Sequence, residues 1–174
     1  MRSIDGEPVH SYARERRVEL RYDEYPPLLV RAFLAAEDKT FFEHGGIDIP
    51  GLIGAVFDYV SKIGSGERAR GGSTITQQVV KNVLLDPEKS FRRKVREALL
   101  ARRLEQTLSK DEILELYLNH IYFGRGRYGI EEAARDSFGK SAKDLSIAEA
   151  ALLAGTIACP ESCSPRKDPK RALE

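Results

Sequence analysis

The sequence predicts an all-α chain, and three observations carry that expectation. From Pro26 onward, apolar residues recur at helical spacing in segment after segment. Those segments are punctuated by helix signals: Pro26-Pro27, Ser90, Gly139, and the capping boxes Ser109-Lys110-Asp111-Glu112 and Ser146-Ile147-Ala148-Glu149. Only Val18-Glu19-Leu20-Arg21-Tyr22 alternates with the period of a strand, and it is expected to be a short edge strand. At 174 residues the chain can bury one proper core. Residues 1–25 read as an irregular lead-in and 26–174 as the domain.

The first helix runs from Pro26-Pro27 through Leu28-Leu29-Val30-Arg31-Ala32-Phe33-Leu34-Ala35-Ala36 and is apolar on most sides, so it is expected at the centre. It ends on two adjacent carboxylates, Glu37 and Asp38. Asp48 and Pro50 open a second helix, expected to reach Gly64, with Leu52, Ile53, Val56, Phe57, Val60 and Ile63 at helical spacing. Either that set packs into the core or the helix dips into a membrane surface. A basic, glycine-rich stretch follows up to Gly71-Gly72 and reads as a mobile cover over a site. Ser73 or Thr74 then caps a third helix that carries Thr76, Gln77, Gln78, Lys81 and Asn82. Ser90 caps a long basic helix, expected to reach about Leu108, and Ser109 caps the next. A helix from Ile130 to Phe138 stops at Gly139, and Ser146 starts a last apolar one.

Composition removes several function classes. Lys+Arg 28 against Asp+Glu 27 leaves a net charge of +1, so no global field draws the chain to nucleic acid. Zinc is not expected from Cys159 and Cys163 with only three histidines, and both thiols are expected to be unpaired. No apolar run approaches the ~20 residues that span a bilayer. The chain stops inside an incipient helix at Lys170-Arg171-Ala172-Leu173-Glu174, which reads as a domain cut from a longer, anchored protein.

Two local patterns point to chemistry. A carboxylate delivered by an apolar helix is where desolvation raises a pKa and yields a usable base, although acids at helix ends are more often simply solvated. Arg93, Lys94 and Glu97 share one helical face, either as a surface ion pair or as a phosphate clamp. Ser137-Phe138-Gly139-Lys140 imitates the Ser-x-x-Lys of acyl-enzymes, but no companion element follows, and a serine nucleophile is rejected.

Together the motifs resemble the peptidoglycan glycosyltransferase domain, glycosyltransferase family 51, of class A penicillin-binding proteins. They are Glu37-Asp38-x-x-Phe41-x-x-His44-x-Gly46, then Gly71-Gly72-Ser73-Thr74-Ile75-Thr76-Gln77-Gln78-x-x-Lys81-Asn82, and Arg93-Lys94-x-x-Glu97. A fourth runs from Ile113-Leu114-Glu115-x-Tyr117-Leu118-Asn119 through Tyr122-Phe123-Gly124 to Gly129, and a fifth from Leu145 to Ala154. The resemblance implies a lysozyme-like helical fold with a large lobe and a small membrane-facing lobe. It implies polymerisation of lipid II into β-1,4 glycan at the outer face of the bacterial cytoplasmic membrane, with inversion and release of undecaprenyl diphosphate. Glu37 is then the general base, with Glu97 the second catalytic carboxylate. Asp38, His44, Ser73, Thr74, Gln77, Gln78, Lys81, Asn82, Arg93 and Lys94 are the implied substrate-binding set. A divalent ion, Mg2+ or Mn2+, is the implied cofactor, held by Glu97. The implied partners are lipid II, the growing glycan, the membrane, a C-terminal transpeptidase domain and other cell-wall synthesis proteins.

Two alternatives share parts of this pattern. A lysozyme-like, glycan-cleaving enzyme would use a similar glutamate, but a polysaccharide offers Arg93 and Lys94 no diphosphate. A non-catalytic lipid II-binding module would have no need of both glutamates.

Overall fold

A computed structural model of the chain describes residues 18–63, 71–85 and 90–160. The charge run Arg14-Glu15-Arg16-Arg17, the basic loop from Gly64 to Arg70, Lys89 and the tail beyond Pro160 lie outside those residues.

Among the described residues seven α-helices follow one another: α1 Pro27–Glu37, α2 Ile49–Ser61, α3 Ile75–Val79, α4 Phe91–Thr107, α5 Lys110–His120, α6 Ile130–Phe138 and α7 Ile147–Thr156. Short 3-10 turns stand at Tyr22–Glu24 and Ala142–Asp144. Among the described residues there is no strand, only an isolated bridge between Tyr122 and Tyr128. The expected edge strand at Val18–Tyr22 does not form. Its backbone is held instead by a side chain, since Asn119 accepts from Leu20 N–H at 3.0 Å and donates to Leu20 C=O at 2.8 Å. One amide thus satisfies the donor and acceptor that a neighbouring strand would otherwise take.

The helix starts follow their capping chemistry. The side chains of Asp48, Thr74, Ser90, Ser109 and Ser146 each accept a backbone N–H from the first turn of the helix they open. Gly139 ends α6 in the left-handed conformation at φ 71°, which only glycine adopts without strain. The third helix changes pitch: α3 gives way at Val80 to a π turn, Val80–Leu84. Such insertions are frequent at functional sites.

The core lies where α1 runs along α7 and α3 and α5 pack together. Leu29, Phe33, Phe41, Ile75, Ile113, Leu114, Tyr117, Leu118, Ile130 and Leu153 are fully buried there. α2 stands apart. Of its residues only Ala55 is buried, while Ile49, Leu52, Ile53, Val56, Phe57, Tyr59 and Val60 are exposed. Of the two expectations for this helix, packing into the core fails. No helix of the described residues is long and apolar enough to cross a membrane.

Cys159 is disulfide-bonded, contrary to the expectation of unpaired thiols. Cys163 lies outside the described residues.

Candidate active site

α1 carries Glu37 to the rim of a cleft of about 830 Å³. Most of its walls come from four places in the chain: Ala36 and Glu37 at the end of α1, Tyr59 from α2, Ser73, Gln78 and Lys81 from the third-helix region, and Arg93, Lys94 and Glu97 from α4. Ile157 and Ala158, just past α7, close one side. The cleft therefore gathers seven residues singled out in the sequence: Glu37, Ser73, Gln78, Lys81, Arg93, Lys94 and Glu97.

Glu37 is half-buried, and Gln78 Nε2 donates to its Oε2 at 2.7 Å. Desolvation raises its pKa above the ordinary glutamate range. The Gln78 hydrogen bond opposes that shift by favouring the carboxylate, and the neighbouring Asp38 charge adds to it. A carboxylate tuned upward is a stronger base than a free one, provided it is still ionised at working pH.

Glu97 is the second carboxylate of the cleft. Its side chain is buried, and it pairs with Arg93 Nη1 at 3.2 Å and with Lys94 Nζ. Lys94 also donates to Ser73 Oγ at 2.8 Å, which ties α4 to the start of the third-helix region. Of the two possible caps, Thr74 is the one used, and Ser73 is left to receive Lys94. Arg93 Nε is buried without a partner among the described residues, and such a donor costs free energy unless an acceptor meets it. Arg93, Lys94 and Lys81 give this wall three cations against the one carboxylate of Glu97.

The other expected site residues sit behind the cleft or beside it. Asp38 is buried, and its carboxylate lies 3.0 Å from His44 Nε2 and accepts Ile75 N–H at 3.0 Å. Gly46 N–H donates to His44 Nδ1 at 3.2 Å, so the ring proton sits on Nε2 and is given to Asp38. Thr74 is buried, donates to Gly46 C=O at 2.7 Å and shares a capping box with the buried Gln77. Asp38 and Thr74 reach a small side cavity next to Glu37. Asn82 is exposed on the π turn and does not line the cleft.

These buried contacts fix the loop after α1 in place. Gly46, at φ 92°, lets the loop touch α4, since a Cβ there would sit 2.8 Å from Ala101 C=O. A second brace was not singled out in the sequence. Lys110 Nζ bonds His44 C=O at 2.6 Å and Glu105 at 2.6 Å, and lies 4.3 Å from the centre of the Phe41 ring. Glu105 also accepts from buried Thr76 at 2.6 Å. The Lys110–Glu105 spacing of five residues across the α4–α5 junction matches no helical pairing rule, so nothing in the sequence signalled it. In the sequence Tyr117 stands out only as part of a motif. Its hydroxyl is buried and unpartnered among the described residues, and burial first, then the charges of Glu37 and Asp38, hold its pKa well above the ordinary tyrosine value.

The decoy at Ser137 has no base to activate it, because Lys140 Nζ is committed to Glu149 at 2.8 Å.

The implied divalent ion fits this donor set poorly. Both oxygens of Glu97 already face cations, and among the described residues no group of three His, Cys, Asp or Glu could hold a metal. The positive charge an ion would bring is supplied here by side chains.

Comparison with known proteins adds the family. The family model described as "Transglycosylase" matches residues 5–174. Penicillin-binding protein 1A of Neisseria lactamica is 48% identical over 170 residues, 98% of this chain and 21% of that protein. Penicillin-binding protein 1A of Rickettsia bellii is 46% identical over 166 residues, 95% of this chain and 21% of that protein. The chain thus spans about one-fifth of the length of these relatives. A crystal structure of penicillin-binding protein 1A from Haemophilus influenzae matches with a TM-score of 0.48 and 23% identity, over 97% of this chain and 15% of that one.

Proposed function

This chain belongs to the transglycosylase family, and we propose that it is a peptidoglycan glycosyltransferase that polymerises lipid II into β-1,4 glycan for the bacterial cell wall. The observation that carries this reading is the polarity of the cleft. The same cleft of about 830 Å³ is lined by a desolvated carboxylate, Glu37, and by the cations Lys81, Arg93 and Lys94, and it has room for a disaccharide and a diphosphate.

In this reading Glu37 accepts the proton of the acceptor's 4-hydroxyl as that oxygen attacks the donor's anomeric carbon. The new C–O bond forms as the bond to the diphosphate breaks on the opposite face, so the configuration inverts. The electron pair leaves on the diphosphate, where Arg93, Lys94 and Lys81 meet the developing charge. The unpartnered Arg93 Nε–H is a ready donor for a phosphate oxygen. Glu97 holds Arg93 and Lys94 in position between turnovers. Gln78 orients Glu37 and keeps part of it ionised. Asp38, His44, Thr74 and Gln77 act one layer back by fixing the loop that presents Glu37. A diphosphate already leaves well, so no strong general acid is required.

The exposed apolar side chains of α2, with Phe57 73% accessible, are suited to lying in a bilayer interface. Tyr59 from the same helix lines the cleft. A substrate whose sugar must reach Glu37 while its lipid stays in the membrane would be served by that arrangement. The outer face of the cytoplasmic membrane as location, the growing glycan as second substrate, and a transpeptidase domain and cell-wall synthesis proteins as partners belong to the same proposal.

Purified chain incubated with labelled lipid II in detergent, with products resolved on a gel, tests the reading. Lengthening glycan from the wild type and a loss of about 10²–10⁴-fold in Glu37→Gln are expected. Equal product from both would remove Glu37 from the role of base. Shortening of added glycan instead would favour a cleaving enzyme.

A further inference from the structure

We propose that the outer face of α4, turned away from the cleft, is a contact surface for anionic phospholipid headgroups. The proposal rests on the membrane-bound reading of the site but concerns residues that touch no part of the cleft. At about 100° per residue, Arg102, Val95, Leu99, Arg92, Arg103 and Arg96 succeed one another around a single arc of the helix. All six are exposed. Val95 and Leu99 are accessible to 44% and 60%, and Val83 and Leu84 of the adjoining π turn are exposed as well.

The charges on this face differ from those on the inner one. Arg93 and Lys94 line the cleft and are both paired with Glu97. On the outer arc no acidic residue intervenes, and the four arginine side chains have no ion pair or hydrogen bond among the described residues. Four positive charges with no ion pair among the described residues, on a chain of net +1, are a concentration, not an average. Like charges at i,i+4, as in Arg92 and Arg96, repel and weaken a helix, so the arc is stable only at some cost until a counter-charge arrives.

The mixture of groups selects among polyanions. A nucleic acid offers phosphates but no apolar phase for Val95 and Leu99, and an acidic protein surface offers carboxylates. A bilayer interface offers phosphates at headgroup level and hydrocarbon just beneath. Arginine suits that boundary, because its stem lies along apolar surface while its planar head pairs with phosphate in bidentate fashion. The face also lies on the same helix as the cleft wall that would receive the substrate's diphosphate, so both sides of α4 would meet phosphate chemistry at one depth.

Co-sedimentation of the 174-residue chain with vesicles that contain no lipid-linked glycan tests this apart from any polymerase activity. Phosphatidylcholine vesicles are compared with vesicles of phosphatidylcholine and phosphatidylglycerol, for the wild type and for the combined variant R92Q/R96Q/R102Q/R103Q. Each arginine lost should lower partitioning onto the anionic vesicles by about fivefold, with no change on the neutral ones. Phe57→Ser in α2 should weaken binding to both. Molar salt should release the wild type from the excess binding that phosphatidylglycerol confers, and that measurement stands even if the combined variant fails to fold. The proposal is overturned if the variant, folded by its thermal melt, binds anionic vesicles as the wild type does. It is also overturned if the variant loses neutral and anionic binding alike, or if duplex DNA competes as strongly as the anionic lipid. Failure of the wild type to make glycan, with arginine-dependent vesicle binding intact, would count against the polymerase reading and leave this one standing.

Discussion

α1 and α2 are of similar length, 11 and 13 residues, and the more apolar of the two is the less buried. α1 places Leu29, Val30 and Phe33 in the core and runs along α7. α2 has aliphatic and aromatic side chains around most of its circumference and buries only Ala55. Apolar content therefore does not distinguish a core helix from one meant for another apolar phase. What distinguishes them is whether the rest of the chain supplies a partner face. α7 does so for α1, and Glu37 at the end of that packed helix is itself desolvated. Nothing in the described chain does so for α2, whose apolar side chains stay exposed.

That contrast can be broken most severely in the core. Phe33→Ala should cost about 3–5 kcal/mol, because a fully buried ring leaves a cavity. Phe57→Ala in α2 should change stability by no more than about 0.5 kcal/mol, and paired denaturant melts of the two variants measure the difference. If Phe57→Ala proved as costly as Phe33→Ala, α2 would be a core element after all. The next largest effect is expected at Glu97 in the cleft. Glu97→Gln should cost about 1–3 kcal/mol, since it strips charge-assisted bonds from Arg93 and Lys94, which are themselves partly exposed. Replacing both cations by alanine would instead leave a buried charge alone, and would confuse a folding defect with lost diphosphate binding. Glu97→Gln with a melt and a lipid II binding assay separates the two. The smallest effect belongs to Tyr117→Phe. Removing a buried hydroxyl without a partner should leave stability within about 1 kcal/mol of the wild type or raise it, and a thermal melt reads this directly.

Much of this organisation was legible from residues alone. The helix starts at Asp48, Ser90, Ser109 and Ser146 were each marked by a side chain that can accept a first-turn N–H, a strictly local rule. The spacing of Arg93, Lys94 and Glu97 gave one face for the same reason. What escaped was non-local. Asn119 replaces a strand partner for Leu20 across 99 positions of sequence, and no alternation pattern reveals that. Lys110 joins His44 to Glu105 through a fold-dependent approach. Within the motifs, sequence spacing did not tell which residues face the cleft. Gln78 reaches Glu37, whereas its neighbour Gln77 is consumed by the cap it forms with Thr74. Periodicity does not decide between core and membrane for the α2 face, because it reports a stripe and not what covers it.

The raised pKa of Glu37 in the folded state also carries a stability signature. Because Glu37 is raised above its unfolded value, its contribution is most favourable below the unfolded pKa and is lost as pH rises through the folded one. Activity runs the other way, since a base must be ionised to accept a proton. The pH dependence of kcat/KM for lipid II polymerisation therefore tests the central claim most directly, that α1 makes Glu37 a base by desolvating it. The account predicts an acid limb above the ordinary glutamate value of 4.5, moving further up in Gln78→Ala as the opposing hydrogen bond is removed. An acid limb at or below 4.5, or one that Gln78→Ala leaves unmoved, would contradict it.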